Sequence, residues 1–229
     1  MPCAGLNDPA HGIRFCVTAV CAKTRKRLHP KQDVAFNMAE RFRVPVIFLM
    51  DEIIGHLREG CEMIPAEELT VSNRRIDRRF NGTLAYAVQE GNYVPEYAPF
   101  GEGDHFNVTG LFHDLDGFPT NDNNITDSQE RRLLDKIRMR RDRIQKWEEV
   151  DCDDCETLII CFGGTARAVE GAIEESHKFD FIKLGMFRPI TVWPFPEEAL
   201  LKLIKNNMEW ILCGIYGQEN ALHYLVKMI

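Results

Sequence analysis

Asp51, Glu52 and His56 are the residues whose types and spacing best suit proton transfer. Glu52 and His56 lie four positions apart, so on a helix their side chains share a face. A carboxylate beside an imidazole can tune it as a general acid or base near neutral pH. The plainer alternative is a helix cap plus a structural hydrogen bond, the commoner use of such a pair. His105, His113, Asp114 and Asp116 form a second cluster of ligand-type side chains. Their spacing does not fit a rigid metal-binding element, so no metal is expected there. Cys152 and Cys155 make a CxxC pair with no second pair to complete a four-ligand zinc site. The stretch "EEVDCDDCE" surrounds them with acids that disfavour a thiolate, so two reduced thiols are expected. In "CFGGTARAV", Gly163 and Gly164 fall between a strand and a helix start. Such a turn can hold a phosphate on free backbone N–H groups. It lacks the glycine spacing of a dinucleotide fingerprint and the Gly-Lys-Ser/Thr of a phosphate loop, so a tight turn is the favoured reading. Neither G-x-S-x-G nor H-E-x-x-H occurs. These residues by themselves make no complete active site.

Elements must place these side chains. Residues 1–30 show no clean period. "KQDVAFNMAERFR" carries Val34, Met38 and Phe42 at four-residue steps, one helix face. Val44 to Met50 is a short apolar run rich in branched residues, which predicts a strand buried on both faces. Such a strand belongs to a sheet with helices on both sides. Asp51 and Glu52 follow at its carboxyl end, where ligands gather in open α/β sheets. Residues 61–125 hold seven of the 12 asparagines and six of the 16 glycines, with only brief apolar runs, and include the arginine-rich "SNRRIDRRFNG". Long loops of this kind are often functional or interface-forming. Residues 126–149 read as one helix, with Thr126 and Gln129 as a capping box. Leu133, Ile137, Ile144 and Trp147 form its apolar stripe, and eight basic residues cover the other faces. A solvated connecting helix explains those charges more simply than an acidic partner does.

Residues 156–205 read as a second α/β unit. "TLIICFGG" is a strand, Thr165 caps the helix "ARAVEGAIEESHK", and "FIKLGMFR" is the next strand. "PITVWPFPEEALLKLIKN" is a proline-rich turn into a helix starting near Pro196, and "EWILCGIYGQ" is a third strand and turn. The β-α-β-α order implies a parallel sheet with right-handed crossovers.

Composition narrows the function classes. The chain has 229 residues, 45% of them hydrophobic, enough for one large domain or two small ones. A net charge of −7 disfavours nucleic-acid binding, which runs on phosphate neutralisation. No apolar run approaches a membrane span, and the first thirty residues lack a signal-peptide apolar region, so a cytoplasmic location is expected. Eight scattered cysteines do not suggest a disulfide framework.

Several stretches resemble a known family. "AFNMAERFRVPVIFLMDEIIGHLRE" resembles the end of the first domain of the α subunit of 2-oxoacid:ferredoxin oxidoreductases, the 2-oxoglutarate type most of all. "YAPFGEGDHFNVTGLFHDLDGFPT" resembles the segment that follows it. "FGGTARAVEGAI" and "MFRPITVWPFPEEAL" resemble the next domain, which is similar to the C-terminal domain of transketolase. The likeness implies oxidative decarboxylation of a 2-oxo acid with coenzyme A, giving an acyl-CoA, CO2 and reduced ferredoxin. Thiamine diphosphate would supply carbanion chemistry, and iron–sulfur clusters on partner subunits would take single electrons. The α subunit would hold the thiamine pyrimidine. A β subunit would hold the diphosphate through Mg2+, together with a cluster.

The resemblance also implies departures. The acid that contacts the pyrimidine is not found in residues 1–34, where "AHG" (Ala10 to Gly12) alone is similar to a family step. A reading-frame shift between two matching stretches would give this pattern. "WILCGIYGQ" lacks an acid usual in the family, and the last strands of that domain are absent. The expected architecture is therefore α/β in four parts. Residues 1–60 are a partial thiamine-pyrimidine-type domain, 61–125 a loop-rich connector, and 126–149 a linking helix. Residues 150–229 are an incomplete transketolase C-terminal-like parallel-sheet domain. The isolated chain is expected to be inactive, to hold no cofactor alone, and to expose apolar edges that limit its solubility. A non-catalytic module that docks a β subunit, or a decayed gene product, are the alternatives. Asp51, Glu52 and His56 are the candidate catalytic residues, and Glu102 and His113 the candidate substrate or interface residues.

Overall fold

A computed structural model of the chain describes residues 18–21, 29–56, 58, 65–76, 84–88, 91–96, 101–103, 106–110, 112–178, 183–204 and 210–214. "AHG" and His105 lie outside the described residues. So does the C-terminal stretch from residue 215.

Two sheets organise these residues. The first holds β1 (Thr18–Cys21), β2 (Val46–Leu49) and β6 (Thr191–Trp193) in the order β2-β1-β6. β1 and β2 run parallel with Thr18 opposite Val46, and β6 runs antiparallel to β1. Helix α1 (His29–Phe42) crosses between β1 and β2. Its face follows the four-residue spacing: Met38 and Phe42 are buried with Val44, and Val34 packs beside them. Arg43 then turns the chain with φ at 48°, in the left-handed region. β2 is half-buried at all four positions rather than buried on both faces. The strand order explains the difference, because β2 lies at the sheet edge.

The second sheet has the order β3-β5-β4-β7, with β3 (Trp147–Val150), β4 (Thr157–Cys161), β5 (Leu184–Pro189) and β7 (Trp210–Gly214). β5, β4 and β7 are parallel, as the alternating pattern predicts. β3 adds an antiparallel edge, Glu148 opposite Arg188, so the sheet is mixed. α5 (Thr165–Ser176) covers one face, with Ala166 and Ile173 packed on Cys161 and Met186. α6 (Glu197–Ile204) covers the other, with Leu200 and Leu203 packed on Leu158, Ile160 and Phe187. Alternate residues of β4 thus serve opposite faces, as the two-residue period of a strand requires.

Three expectations are corrected. The helix read over 126–149 is instead α3 (Asn123–Arg138), a break at Met139–Arg140, the short α4 (Arg141–Ile144), and strand β3. Asp122 rather than Thr126 caps α3, its side chain accepting from the amides of Asn124 at 2.8 Å and Ile125 at 3.4 Å. Trp147 belongs to β3 because pairing with the buried strand β5 outweighs local helical preference. Second, the proline-rich turn contains β6. The chain leaves β5, passes Ile190 and enters the first sheet, where Trp193 lies opposite Ala19. Thr191 is fully buried at this crossing and donates its hydroxyl to the Ile144 carbonyl at 2.9 Å. Third, Thr165 is the first helical residue of α5, and its N-cap is Gly164, which has no side chain to do the capping.

α3 is tied to the first sheet's helix through a buried cation. Lys136 is almost wholly buried, and its Nζ donates to the Arg43 carbonyl at 3.0 Å. That bond satisfies a carbonyl just past the end of α1, where a helix leaves acceptors unpaired. Ile137 and Ile144 complete the same core cluster. Two of the four stripe residues, Ile137 and Ile144, are core, whereas Leu133 is half-buried and Trp147 is exposed on β3.

Candidate functional site

Asp51 follows β2 and precedes the short helix α2 (Glu52–His56). Its carboxylate does not face open solvent chemistry. Oδ2 accepts a short hydrogen bond from the Gly164 amide, at the start of α5. A helix start carries unpaired amides and a partial positive charge, so an acidic group is favoured there. Gly163 has φ at 66°, and a Cβ at either Gly163 or Gly164 would run into the Asp51 carboxylate. The two glycines are thus required by the close approach as much as by the turn. The Gly164 amide, one of those that could cradle a phosphate, is occupied by a carboxylate from the same chain. The tight-turn reading of "CFGGT" holds, and the missing cap of α5 is supplied from the first sheet.

Glu52 and His56 do share a helix face, with Nε2 of His56 3.9 Å from Oε1 of Glu52. Their side chains are 91% and 81% exposed, so nothing in the chain desolvates or orients the pair. Glu102 is exposed in a turn over residues 101–103. His113 is half-buried against Tyr86, with ring centroids 4.0 Å apart. Its Nδ1 lies 2.9 Å from the Asp114 carbonyl oxygen, which places a proton on Nδ1. Among the described residues no hydrogen bond or ion pair joins Asp51 to His56, Glu102 or His113. The five candidates are therefore not one constellation within this chain.

The other motifs resolve into structure. Asp114 accepts from the Leu115 amide at 2.6 Å and Asp116 from the Phe118 amide at 3.0 Å, both as turn-forming side chains. Among the described residues no group of three or more His, Cys, Asp or Glu could hold a metal ion. Cys152 and Cys155 are free thiols in the acidic loop 151–156, where Asp151, Asp153, Asp154 and Glu156 are exposed while both thiols turn inward to the core with Leu158 and Phe187. Cys152 Sγ lies 3.2 Å from the Met186 carbonyl oxygen. Burial, ahead of the neighbouring charges, pushes the Cys152 thiol up to about 11 and raises that of Cys155. The expected direction stands, with desolvation rather than the acids as its main cause.

Sequence reasoning missed the pairing of Arg188 with Glu148. Arg188 is 1% exposed, and its Nη1 donates to Glu148 Oε2 at 2.5 Å across the β3–β5 register. Its Nε and Nη2 have no hydrogen-bond partner. The signal was available only once β3 was known to be a strand beside β5.

Comparison with known proteins places these two units in a family. Residues 11–132 match the thiamine diphosphate-binding domain model of pyruvate flavodoxin/ferredoxin oxidoreductases. Residues 155–213 match core domain II of pyruvate:ferredoxin oxidoreductases. Subunit KorA of 2-oxoglutarate synthase from Methanocaldococcus jannaschii is 34% identical over 194 residues, covering 85% of this chain and 51% of that protein. KorA of Methanothermobacter thermautotrophicus is 36% identical over 171 residues, covering 71% and 43%. The fold superposes on 2-oxoglutarate:ferredoxin oxidoreductase from Magnetococcus marinus with a TM-score of 0.79 at 19% identity, over 92% of this chain and 37% of that one. Two oxidoreductase domains in succession on α/β sheets define the class. The chain belongs to the 2-oxoacid:ferredoxin oxidoreductase family and matches its α-type subunits. It spans about half the length of the curated relatives it matches.

Asp51, Glu52 and His56 do not by themselves make a site for the family's cofactor. The carboxylate at the end of β2 is committed to the Gly164 amide, and the nearby Glu52 and His56 point into solvent. No catalytic step is therefore assigned to them.

Proposed function

We propose that the chain is an α-subunit component of an enzyme that oxidatively decarboxylates 2-oxoglutarate with coenzyme A, giving an acyl-CoA, CO2 and reduced ferredoxin. The observation that carries this reading is the 34% identity to a 2-oxoglutarate synthase subunit over 85% of the chain. Three KorA subunits match at 32–36%, while VorB, a ketoisovalerate oxidoreductase subunit of Methanothermobacter marburgensis, matches at 25%, the same as KorA of Archaeoglobus fulgidus; the higher set favours 2-oxoglutarate over a branched 2-oxo acid. Residues 1–60 then belong to the thiamine-pyrimidine domain, 61–125 to a connector, and 150–229 to the transketolase-like domain.

In the assembled enzyme, thiamine diphosphate with Mg2+, held together with a β subunit, would supply the carbanion chemistry, and iron–sulfur clusters on partner subunits would accept the electrons. This chain's contribution is architectural. Asp51 locks the end of β2 to α5, and β6 threads the second unit into the first sheet. Both devices hold the two α/β units in one arrangement for a partner to complete. The chain alone has no turnover in this reading, and its setting is the cytoplasm, with ferredoxin as the acceptor.

Docking on a β subunit is supported by large apolar side chains left in solvent. Phe36 and Ile53 are each 73% exposed, and Met50 is exposed beside Asp51 at the strand end. Exposed apolar surface of this kind marks interaction sites. The test is co-expression with the β subunit, then purification on a β-subunit tag. Co-purification together with turnover of 2-oxoglutarate, in preference to pyruvate and 2-oxoisovalerate, supports the proposal. A stable complex with no turnover supports a non-catalytic docking module instead. Failure to co-purify contradicts both.

A further inference from the structure

Beyond the family reading, one cavity in the first unit concentrates positive charge in an acidic protein. It has a volume of about 470 Å3 and lies where α1 ends, between residues 72–75, residues 91–95 and the α3–α4 break. Arg41, Arg43, Arg75, Arg140 and Arg143 line it, while the whole chain carries −7. The acid in its lining, Glu40, is already neutralised. Arg74 clamps it in a two-point pair, Nε to Oε2 at 2.5 Å and Nη2 to Oε1 at 2.9 Å. Arg143 reaches the exposed Asp142 only at 4.0 Å, and Arg41 and Arg75 make no ion pair among the described residues.

The walls are built rather than incidental. Arg43 sits at a left-handed backbone position, and its Nη1 donates to the carbonyls of Pro95 and Glu96 at 3.1 and 3.2 Å. Those bonds fix the 91–95 wall against the end of α1. Arg140 Nη2 lies 3.5 Å from the Gly91 carbonyl oxygen, drawing the α3–α4 break to the same wall. Just behind, Arg132 holds the Tyr93 carbonyl at 3.1 Å. Burial, and then the Arg43 charge, lower its pKa from the ordinary arginine value. Arg41, Arg75 and Arg140 therefore bring positive charge to a cavity whose one lining acid, Glu40, is held by Arg74.

We propose that this cavity binds a compact polyphosphate, either inorganic pyrophosphate or the diphosphate of a nucleotide. Guanidinium forks match phosphate oxygens in pairs, and several of them call for several negative charges in a small space. The volume falls in the range of small-molecule sites. Ser72, Asn73 and Asn92 add neutral polar groups to the lining, whereas its one aromatic residue, Phe42, is buried in the core. The phosphates rather than a base or acyl group are therefore the recognised part. The assignment stands on this cavity and its charges, independently of the 2-oxoglutarate reading.

The test is isothermal titration of the full chain with pyrophosphate, ADP and citrate at low ionic strength. Arg41→Glu combined with Arg75→Glu is the site variant. Both side chains are exposed, so the fold should survive, which circular dichroism checks. Arg131→Glu, on an exposed face of α3 and paired with Asp127, is the control. The proposal predicts saturable one-site binding of pyrophosphate or ADP, weakened by added salt. The site variant should lose about ten-fold or more in affinity, and the control should not. Stronger binding of ADP identifies a nucleotide, and stronger binding of pyrophosphate an inorganic ligand. No saturable phosphate binding, citrate bound as tightly as pyrophosphate, or an equal loss in Arg131→Glu overturns the proposal.

Discussion

Asp51 caps a helix whose N-cap, Gly164, lies 113 positions further along the chain, its carboxylate accepting the Gly164 amide at the start of α5. One bond therefore supplies the cap that the α5 sequence lacks and fastens two α/β units together. Asp51→Ala should lower unfolding stability by about 1 kcal/mol, the usual worth of an N-cap. Asp51→Asn, which keeps the acceptor oxygen but not the charge, should lose less. Gly163→Ala should also destabilise, because its φ of 66° is strained for an L side chain and the new methyl meets the Asp51 carboxylate. Denaturant midpoints for the two single variants and the double should show coupling rather than addition. Simple additivity would separate the glycine from the carboxylate.

The buried Arg188–Glu148 pair gives a second prediction. Arg188 sits at 1% exposure, with Glu148 as its one carboxylate contact among the described residues and two nitrogens unpaired there. Glu148→Gln leaves the buried guanidinium without a counter-charge and should cost about 3–5 kcal/mol. Replacing both, as Glu148→Leu with Arg188→Met, should cost less than the single change. Thermal unfolding of the three variants decides this. A milder effect for the single change than for the double would contradict it.

Cys152 makes stability depend on alkaline pH. Its thiol ionises near 11 in the folded protein against an ordinary value of 9.0. The folded state therefore holds the proton more tightly than the unfolded state. The corresponding stability is fully present below about pH 9 and is lost as pH rises through about 11. Urea unfolding at pH 8 and pH 10.5 should show a steeper loss in the natural chain than in Cys152→Ala. Native Cys152 should also resist iodoacetamide at pH 8 and react once unfolded.

Glu52 and His56 give the opposite expectation. Both are largely exposed and 3.9 Å apart. Replacing either by alanine should leave the thermal midpoint unchanged within error. A measurable drop would mean that the pair has a buried role that the geometry does not show.

The elements that carry their own periodicity were legible in the sequence. Val34, Met38 and Phe42 marked α1, and "TLIICFGG" marked β4 and its turn. Ile137 and Ile144 were correctly placed in the core, but the helix joining them breaks at Met139–Arg140. Tertiary pairing decided the rest. Trp147 to Val150 is a strand because β5 offers an edge, and Thr191 to Trp193 is a strand because β1 does. The site followed the same rule. Asp51 stood out as a catalytic candidate from its place at a strand end, whereas its bond to the Gly164 amide was not legible, since nothing local links the two. The arginines of "SNRRIDRRFNG" and of the basic helix were each visible, yet only folding brings Arg75 and Arg140 to one cavity.

The most direct measurement of the central claim is 2-oxoglutarate-dependent reduction of ferredoxin, with coenzyme A, thiamine diphosphate and Mg2+ present. It compares the chain alone, the β subunit alone, and the two co-expressed. Reduction is expected only in the co-expressed sample, with neither chain active by itself. Turnover by the 229-residue chain alone, or a stable complex that never reduces ferredoxin, would contradict it.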